Sequence, residues 1–246
     1  MKNYGLSPNQ ERIMSILEYK KVRIILRDEL MGLIRKHMDV KDVSDLISKL
    51  LFKSRLISIK KGVYAVVPLS SLDKTSEISD LEVVSYLLGD NYYLGLFNAY
   101  NRYGFTGQVP NKLFVFNTKY SLNKMILGYQ FKFFKVKNDK IFGVTSEKYP
   151  YSDKERTIID VLDYPGYFGG LKQVLEQIEG VSFNKKKLIS YAIRYKSIKI
   201  IKLVGLLTNS TALFKLLEGK KALNYYTTIK KTGTKILDKK WKLRLI

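Results

Sequence analysis

An α+β fold is what the sequence predicts, and three observations carry that expectation. Helical apolar spacing and strand-like apolar runs alternate within the first seventy residues, strands follow in the middle, and four consecutive helical segments occupy much of the last hundred. The 246 residues suffice for one large domain or two small ones, each with its own core.

The first segment begins with a helix start. Ser7 can cap, Pro8 fits the first helical position and Glu11 lies in the first turn, after which Ile13, Ile16 and Leu17 keep helical spacing to about Tyr19. A short apolar run from Val22 to Leu26 precedes a second helix, Arg27 to about His37, with Leu30, Leu33 and Ile34 on one face. In the third segment Val43, Leu46, Ile47, Leu50 and Leu51 fall at i, i+3, i+4, i+7 and i+8, an amphipathic helix. Its other face carries Lys41, Ser44, Asp45, Ser48, Lys49 and Lys53. Two β-rich runs, Leu56–Ile59 and Val63–Val67, then flank Lys60-Lys61-Gly62, which predicts a hairpin with a basic tip.

Three helices closed by a hairpin is the order of a winged helix-turn-helix, which places its third helix in the major groove and its wing on flanking phosphates. The expected duplex-DNA contacts are Lys41, Ser44, Ser48, Lys49 and Lys53 on the helix, with Arg55, Lys60 and Lys61 on the backbone. Asp42 and Asp45 suit a helix N-terminus but repel phosphates unless they accept from cytosine amino groups or stay outside the groove. A winged helix used for protein contacts is the bland alternative.

Domain boundaries follow: 1–69 for this module, a serine-rich linker at 70–77 headed by Pro68, and an α/β domain over 78–246, divided into a neutral core (78–183) and a basic helical end (184–246). Within it, a helix is expected over Asp80–Leu88, strands at Lys112–Phe116, Phe131–Val136 and Ile141–Val144, and a helix from Ser152 to Leu162. Helices at Gly170–Ile178, Lys185–Tyr195, Ile198–Thr208 and Ser210–Leu217 lead to a final strand at Trp241–Ile246.

Charge sharpens the reading. Residues 1–70 hold 14 Lys/Arg and 7 Asp/Glu, residues 71–183 hold 13 of each, and residues 184–246 hold 17 and 2, which together give the net +22. A basic excess confined to the two ends implies a polyanionic partner, whereas charge serving only solubility has no reason to avoid the middle. The expected second surface, for nucleic acid or for a protein, comprises Lys185, Lys186, Lys187, Arg194, Lys196, Lys199 and Lys202. Tyr191, Tyr195, Tyr225, Tyr226 and Trp241 interleave with these basic residues; they read first as core, and second as a platform for single-stranded RNA.

Composition also narrows the chemistry. With zero cysteines and one histidine, His37, thiol nucleophiles, cysteine-based zinc sites and most triads are excluded. No apolar run reaches the length of a membrane span and no signal-peptide core follows Met1, so a soluble cytoplasmic protein with no membrane partner is expected. Asp153, Glu155, Asp160 and Asp163 invite a metal-dependent nuclease reading, but acids in the first turn of a helix are more simply caps and dipole partners. Gly166-Tyr167-Phe168-Gly169-Gly170 lacks the spacing of a phosphate loop, and His37 reads as a dipole partner at a helix end. No cofactor, metal or catalytic residue is expected. Gln108, polar among apolar neighbours, either fixes its loop or touches a ligand.

The chain resembles the AbiEi-type antitoxins of type IV toxin–antitoxin (abortive infection) systems, described as predicted transcriptional regulators of viral defence. The resemblance rests on Gly62-Val63-Tyr64, on Leu96-Phe97-Asn98-Ala99-Tyr100 through Gly104-Phe105-Thr106-Gly107-Gln108-Val109-Pro110-Asn111, and on Ser152-Asp153-Lys154-Glu155-Arg156-Thr157-Ile158-Ile159-Asp160. Gly169-Gly170-Leu171, Lys202–Leu207 and Trp241–Arg244 continue it in order along nearly the whole chain. It implies an antitoxin that represses its own operon by binding its promoter and neutralises a cognate nucleotidyltransferase-like toxin, in a type where no stable complex need form. A winged-helix repressor without a toxin partner is the second reading, and the nuclease the third.

Overall fold

The structure, a computed structural model, describes residues 5–71, 77–230 and 235–246. It is a mixed α+β protein that divides into two compact units, residues 1–87 with 125–129 and residues 88–124 with 130–246. Much of the expected linker at 70–77 lies outside the described residues.

In the first unit, α1 (Pro8–Tyr19) opens with a capping box: the Gln10 amide N–H donates to Ser7 Oγ, and the Ser7 N–H donates to Gln10 Oε1. β1 (Ile24–Leu26) leads directly into α2 (Arg27–His37), and α3 (Val43–Phe52) follows, its N-terminus capped by Asp42. β2 (Leu56–Lys60) and β3 (Val63–Val66) complete an antiparallel sheet of order β1-β3-β2, with a register shift between Ser58 and Lys60. The turn between them needs Gly62, whose φ of +74° a side-chain-bearing residue adopts only with strain. Ile13, Met14 and Leu17 of α1, Leu30 and Ile34 of α2, and Leu46 and Leu50 of α3 pack into one apolar core against Leu56 and Val66. α4 (Asp80–Leu88) comes next among the described residues, and Arg23 reaches it through an ion pair to Glu82 at 2.8 Å.

The second unit is built on β4 (Tyr92–Leu94), α5 (Phe97–Arg102), β5 (Lys112–Asn117), β6 (Leu122–Ile126) and β7 (Tyr129–Lys135), in a sheet of order β4-β5-β7-β6 with β5 and β7 parallel. Its aromatic rings stack: Tyr93 lies 4.8 Å from Phe116, which in turn lies 4.8 Å from Phe134. Then come α6 (Lys154–Asp163), α7 (Leu171–Glu179), α8 (Lys185–Tyr195), α9 (Ile198–Thr208) and α10 (Thr211–Gly219). The chain closes with β8 (Thr227–Ile229), β9 (Ile236–Asp238) and β10 (Leu243–Leu245) in a sheet of order β8-β10-β9. α9 is buried along Ile200–Gly205, and Gly205 is required there: a Cβ would lie 2.3 Å from the Trp241 ring.

Two expectations change. The strand expected at Ile141–Val144 is absent, because a 3-10 turn at Asn138–Lys140 and the left-handed Gly143 (φ +64°) break the extended chain, leaving Val144 only an isolated bridge to Ser152. The acid-rich helix starts two residues later than expected, at Lys154, capped by Asp153, whose carboxylate accepts the Arg156 N–H at 2.9 Å. No helix among the described residues is long and apolar enough to cross a membrane.

Candidate nucleic-acid interface

α3 buries Val43, Leu46, Ile47 and Leu50 and exposes Ser44, Asp45, Ser48 and Lys49. Ser48 Oγ donates to the Ser44 carbonyl at 2.9 Å and so partly spends its donor within the helix. Lys49 pairs with Asp45 at 2.7 Å, but both side chains are at least half exposed, so the pair is weak and the ammonium is free to exchange its partner for a phosphate. The side chains of Lys41, Lys60 and Lys61 are exposed and have no ion pair among the described residues.

A contact that sequence reasoning missed joins these elements. Arg27, exposed at the start of α2, donates from Nη2 to Ser44 Oγ at 3.1 Å, while its backbone N–H donates to the Gly62 carbonyl at 2.9 Å. Arg27 thus touches α3 through its side chain and the hairpin turn through its backbone. The signal available in the sequence was only an arginine directly after a short strand.

Two of the expected contact residues are engaged elsewhere. Lys53, the C-cap of α3, donates to the Gly5 carbonyl at 2.6 Å and to Gln10 Oε1 at 2.8 Å, which ties α3 to the start of α1. Arg55 is half-buried and donates to the carbonyls of Pro68 at 2.7 Å and Ser71 at 3.5 Å. Both hold the chain rather than face outward.

The expected second surface divides more sharply. Lys202 is 1% exposed; its Nζ donates to the Tyr225 carbonyl at 2.8 Å, Thr227 Oγ1 at 2.9 Å and the Lys242 carbonyl at 3.3 Å, so it staples α9 to the terminal strands. Burial lowers its pKa. Lys199 pairs with Asp163 at 2.5 Å, and Lys187 pairs with Asp153 at 3.1 Å and Glu155 at 3.0 Å. Lys196, left-handed at the C-cap of α8, reaches Asp139 at 3.8 Å. Arg194 is exposed and stacks its guanidinium 4.3 Å from the Phe142 centroid, and Lys185 and Lys186 are exposed without an ion pair. Of the aromatics, Trp241 and Tyr195 are buried, whereas Tyr225 is 76% exposed and Tyr226 lies beneath Lys242 and Arg244 at 5.1 and 5.6 Å.

The acids of α6 are accounted for one by one. Asp153 caps the helix and also accepts the Tyr191 hydroxyl at 2.8 Å; Asp163 accepts the Tyr195 hydroxyl at 2.6 Å. Burial alone would raise Glu155, but the Asn184 N–H and Lys187 outweigh it and hold the carboxyl below its usual value. Asp160 and Arg156 are fully buried and pair at 3.0 Å, with Tyr93 donating to Asp160 at 3.2 Å and accepting from Arg156 at 2.6 Å. Desolvation pushes the Asp160 carboxyl up to about 6, against the opposing pull of Arg156, and the carboxylate in turn raises Arg156. The guanidinium sits among the rings of Phe142, Tyr195 and Tyr93 at 4.6, 4.9 and 5.3 Å. Arg156 Nη1 and Asp160 Oδ2 make no hydrogen bond among the described residues. Among the described residues no group of three His, Cys, Asp or Glu side chains is placed to hold a metal ion. His37 lies in the last turn of α2, and the Gly166–Gly170 segment forms a 3-10 turn that enters α7.

An exposed helix face beside a basic hairpin turn, with a second unit whose helical acids are tied to its own cations, belongs to a protein of mixed α+β class. No family model matches the chain, and no curated protein shows significant similarity to it. Among solved structures it is similar to that of the RV2827C protein from Mycobacterium tuberculosis, with a TM-score of 0.68 over 99% of this chain and 93% of that one. At 13% identity this shows a common fold alone.

Proposed function

We propose that the chain is a DNA-binding regulator whose first unit is a winged helix-turn-helix. The observation that supports this reading is the position of Arg27, whose guanidinium touches Ser44 on the exposed face of α3 while its backbone N–H meets the hairpin turn at Gly62, next to the exposed Lys60 and Lys61. α3 then lies in the major groove of duplex DNA and the hairpin turn on a flanking phosphate backbone. The contact set becomes Arg27, Lys41, Ser44, Ser48, Lys49, Lys60 and Lys61, with Lys53 and Arg55 as scaffold. Binding its own promoter should be strongly salt-dependent: for six to ten contacted phosphates, affinity falls by roughly 10³ to 10⁵ between about 50 and 200 mM salt. A gel shift in which loss of residues 1–70 leaves sequence-specific binding intact would refute the assignment.

The biological role we assign is that of an antitoxin that represses its own operon and neutralises a nucleotidyltransferase-like toxin in the cytoplasm, without catalysis of its own. It is supported by the ordered resemblance to AbiEi-type antitoxins; the occupied state of each α6 carboxylate supports the non-enzymatic part against a nuclease. Co-expression with a neighbouring nucleotidyltransferase tests it: rescued growth supports the antitoxin, and no rescue leaves a repressor without a toxin partner.

A further inference from the structure

The second unit contains a cleft that the DNA-binding reading does not use. Its larger part, about 440 Å³, lies between Phe97, Phe114 and the Gln108-Val109-Pro110-Asn111-Lys112 segment. It adjoins a recess of about 160 Å³ that shares Phe97 and Gln108 and adds Tyr167, Phe168, Gln173 and Gln177. The larger part alone falls within the size range of small-molecule sites, roughly 300–1,000 Å³.

The backbone around this cleft is fixed while the side chains that face it are left free. Asn98 Oδ1 accepts the Phe114 N–H at 2.8 Å, which anchors α5 to β5. Asn101 Nδ2 donates to the carbonyls of Thr106 and Gln108, both at 3.1 Å, and the Gln108 N–H donates to Thr106 Oγ1 at 3.2 Å. Leu96, buried with φ +48° and ψ −129°, holds a conformation rare for a residue with a side chain and delivers Phe97 to the cleft wall, where it stacks 4.3 Å from Phe168. The loop is thus held by its own carbonyls and amides. The side-chain amides of Gln108, Asn111 and Gln173 make no hydrogen bond among the described residues, and Val109 is left 84% exposed at the rim.

This combination selects a ligand class. The wall of Phe97, Pro110 and Phe114 offers apolar contact to a flat ring, and free carboxamides offer both donors and acceptors to a neutral polar edge. No carboxylate lines the cleft, and its single cation, Lys112, has no ion pair among the described residues. A flat, uncharged heterocycle with an anionic group at one end satisfies every one of these features. We propose that the cleft binds a nucleotide, with the base laid against the apolar wall of Phe97, Pro110 and Phe114, its edge read by Gln108 and Asn111, and its phosphate at Lys112. The nucleotide is supplied either free or as one residue of a single strand. This site is independent of the α3 surface.

Calorimetric titration of the full chain with each of the four ribonucleoside monophosphates, the matching nucleosides and an unstructured RNA hexamer tests it. One-to-one binding of a mononucleotide identifies a free nucleotide as the ligand; binding of the hexamer alone identifies a base within a strand. In either case Gln108→Ala, an exposed position with no role in the core, is expected to weaken binding about tenfold, the worth of one good hydrogen bond. Lys112→Ala is expected to weaken nucleotide binding and leave nucleoside binding unchanged. Failure of every nucleotide and of the hexamer to bind overturns the proposal. So does binding that survives both Gln108→Ala and Asn111→Ala, or binding that is lost in Lys49→Ala instead, which would place the ligand on α3.

Discussion

Both units expose cations, but only the second buries them among the described residues. In the first, the core is apolar, and Lys41, Lys60 and Lys61 stand in solvent without ion pairs among the described residues. In the second, Arg156 and Lys202 are buried, while Lys187 and Lys199 neutralise Asp153, Glu155 and Asp163. Charge summed along the chain therefore misleads in three dimensions. The +15 of residues 184–246 is in part the counter-charge of α6, which belongs to the neutral middle. The +7 of residues 1–70 is smaller, and it includes Lys41, Lys60 and Lys61, which are exposed without an ion pair among the described residues.

That contrast can be broken by removing cations and their partners in turn. The largest effect is expected at the buried pair. Asp160→Asn leaves Arg156 desolvated without a counter-charge and should cost about 3–5 kcal/mol, measured by urea unfolding. A cost below about 1 kcal/mol, the range of an exposed pair, would mean that the pair is solvated and that the contrast fails. Next, Gly205→Ala drives a methyl into the Trp241 ring and should cost about 1–3 kcal/mol in the same assay. Lys202→Met keeps the bulk of the side chain but orphans the Tyr225 and Lys242 carbonyls, with an expected loss of about 1–3 kcal/mol.

The pH dependence sharpens the picture within α6. The Asp160 carboxyl is raised in the folded state to about 6, so between that value and the unfolded value near ~4 the folded protein holds an extra proton. This group's contribution grows as pH falls through that window and is lost as pH rises. Glu155 runs the other way: its carboxyl is lowered on folding, so its stabilisation is present above its ordinary value and lost in acid. Melting temperatures between pH 4.5 and 7 should thus respond differently in Asp160→Asn and Glu155→Gln (about the window set by these groups). Identical pH profiles in the two variants would contradict the assignment of opposite shifts.

At the smallest end, Lys60→Ala and Lys61→Ala should change stability by no more than about 0.5 kcal/mol, as for ordinary surface positions.

How far these features were legible depends on where their partners lie. α8 and α9 match the expected spans residue for residue, because caps at Asn184 and Ser197 and left-handed residues at Lys196 and Asn209 punctuate them locally. β8 and β9 escaped detection: three residues each are too short to show alternation, and β8 pairs in parallel with β10, fourteen or more residues away. β6 does not alternate apolar and polar residues, so its sequence lacks the strand period. Helical period sufficed to place Ser44, Ser48 and Lys49 on the open face of α3. It could not reveal that Lys53 answers to Gly5 and Gln10, or Arg55 to Pro68, since those partners are distant in sequence. Lys202 was misread because a helix buried on all sides over Ile200–Gly205 has no solvated face to which a lysine could be assigned.

The central claim is that free cations on the first unit, rather than the more numerous ones on the second, meet duplex DNA. The salt dependence of promoter binding tests it most directly, because each lost phosphate contact lowers the slope of log K against log salt by about one. Lys49→Ala combined with Lys60→Ala and Lys61→Ala should reduce that slope by about three, while Lys185→Ala with Lys186→Ala leaves it unchanged. An unchanged slope in the first variant and a reduced one in the second would contradict the account.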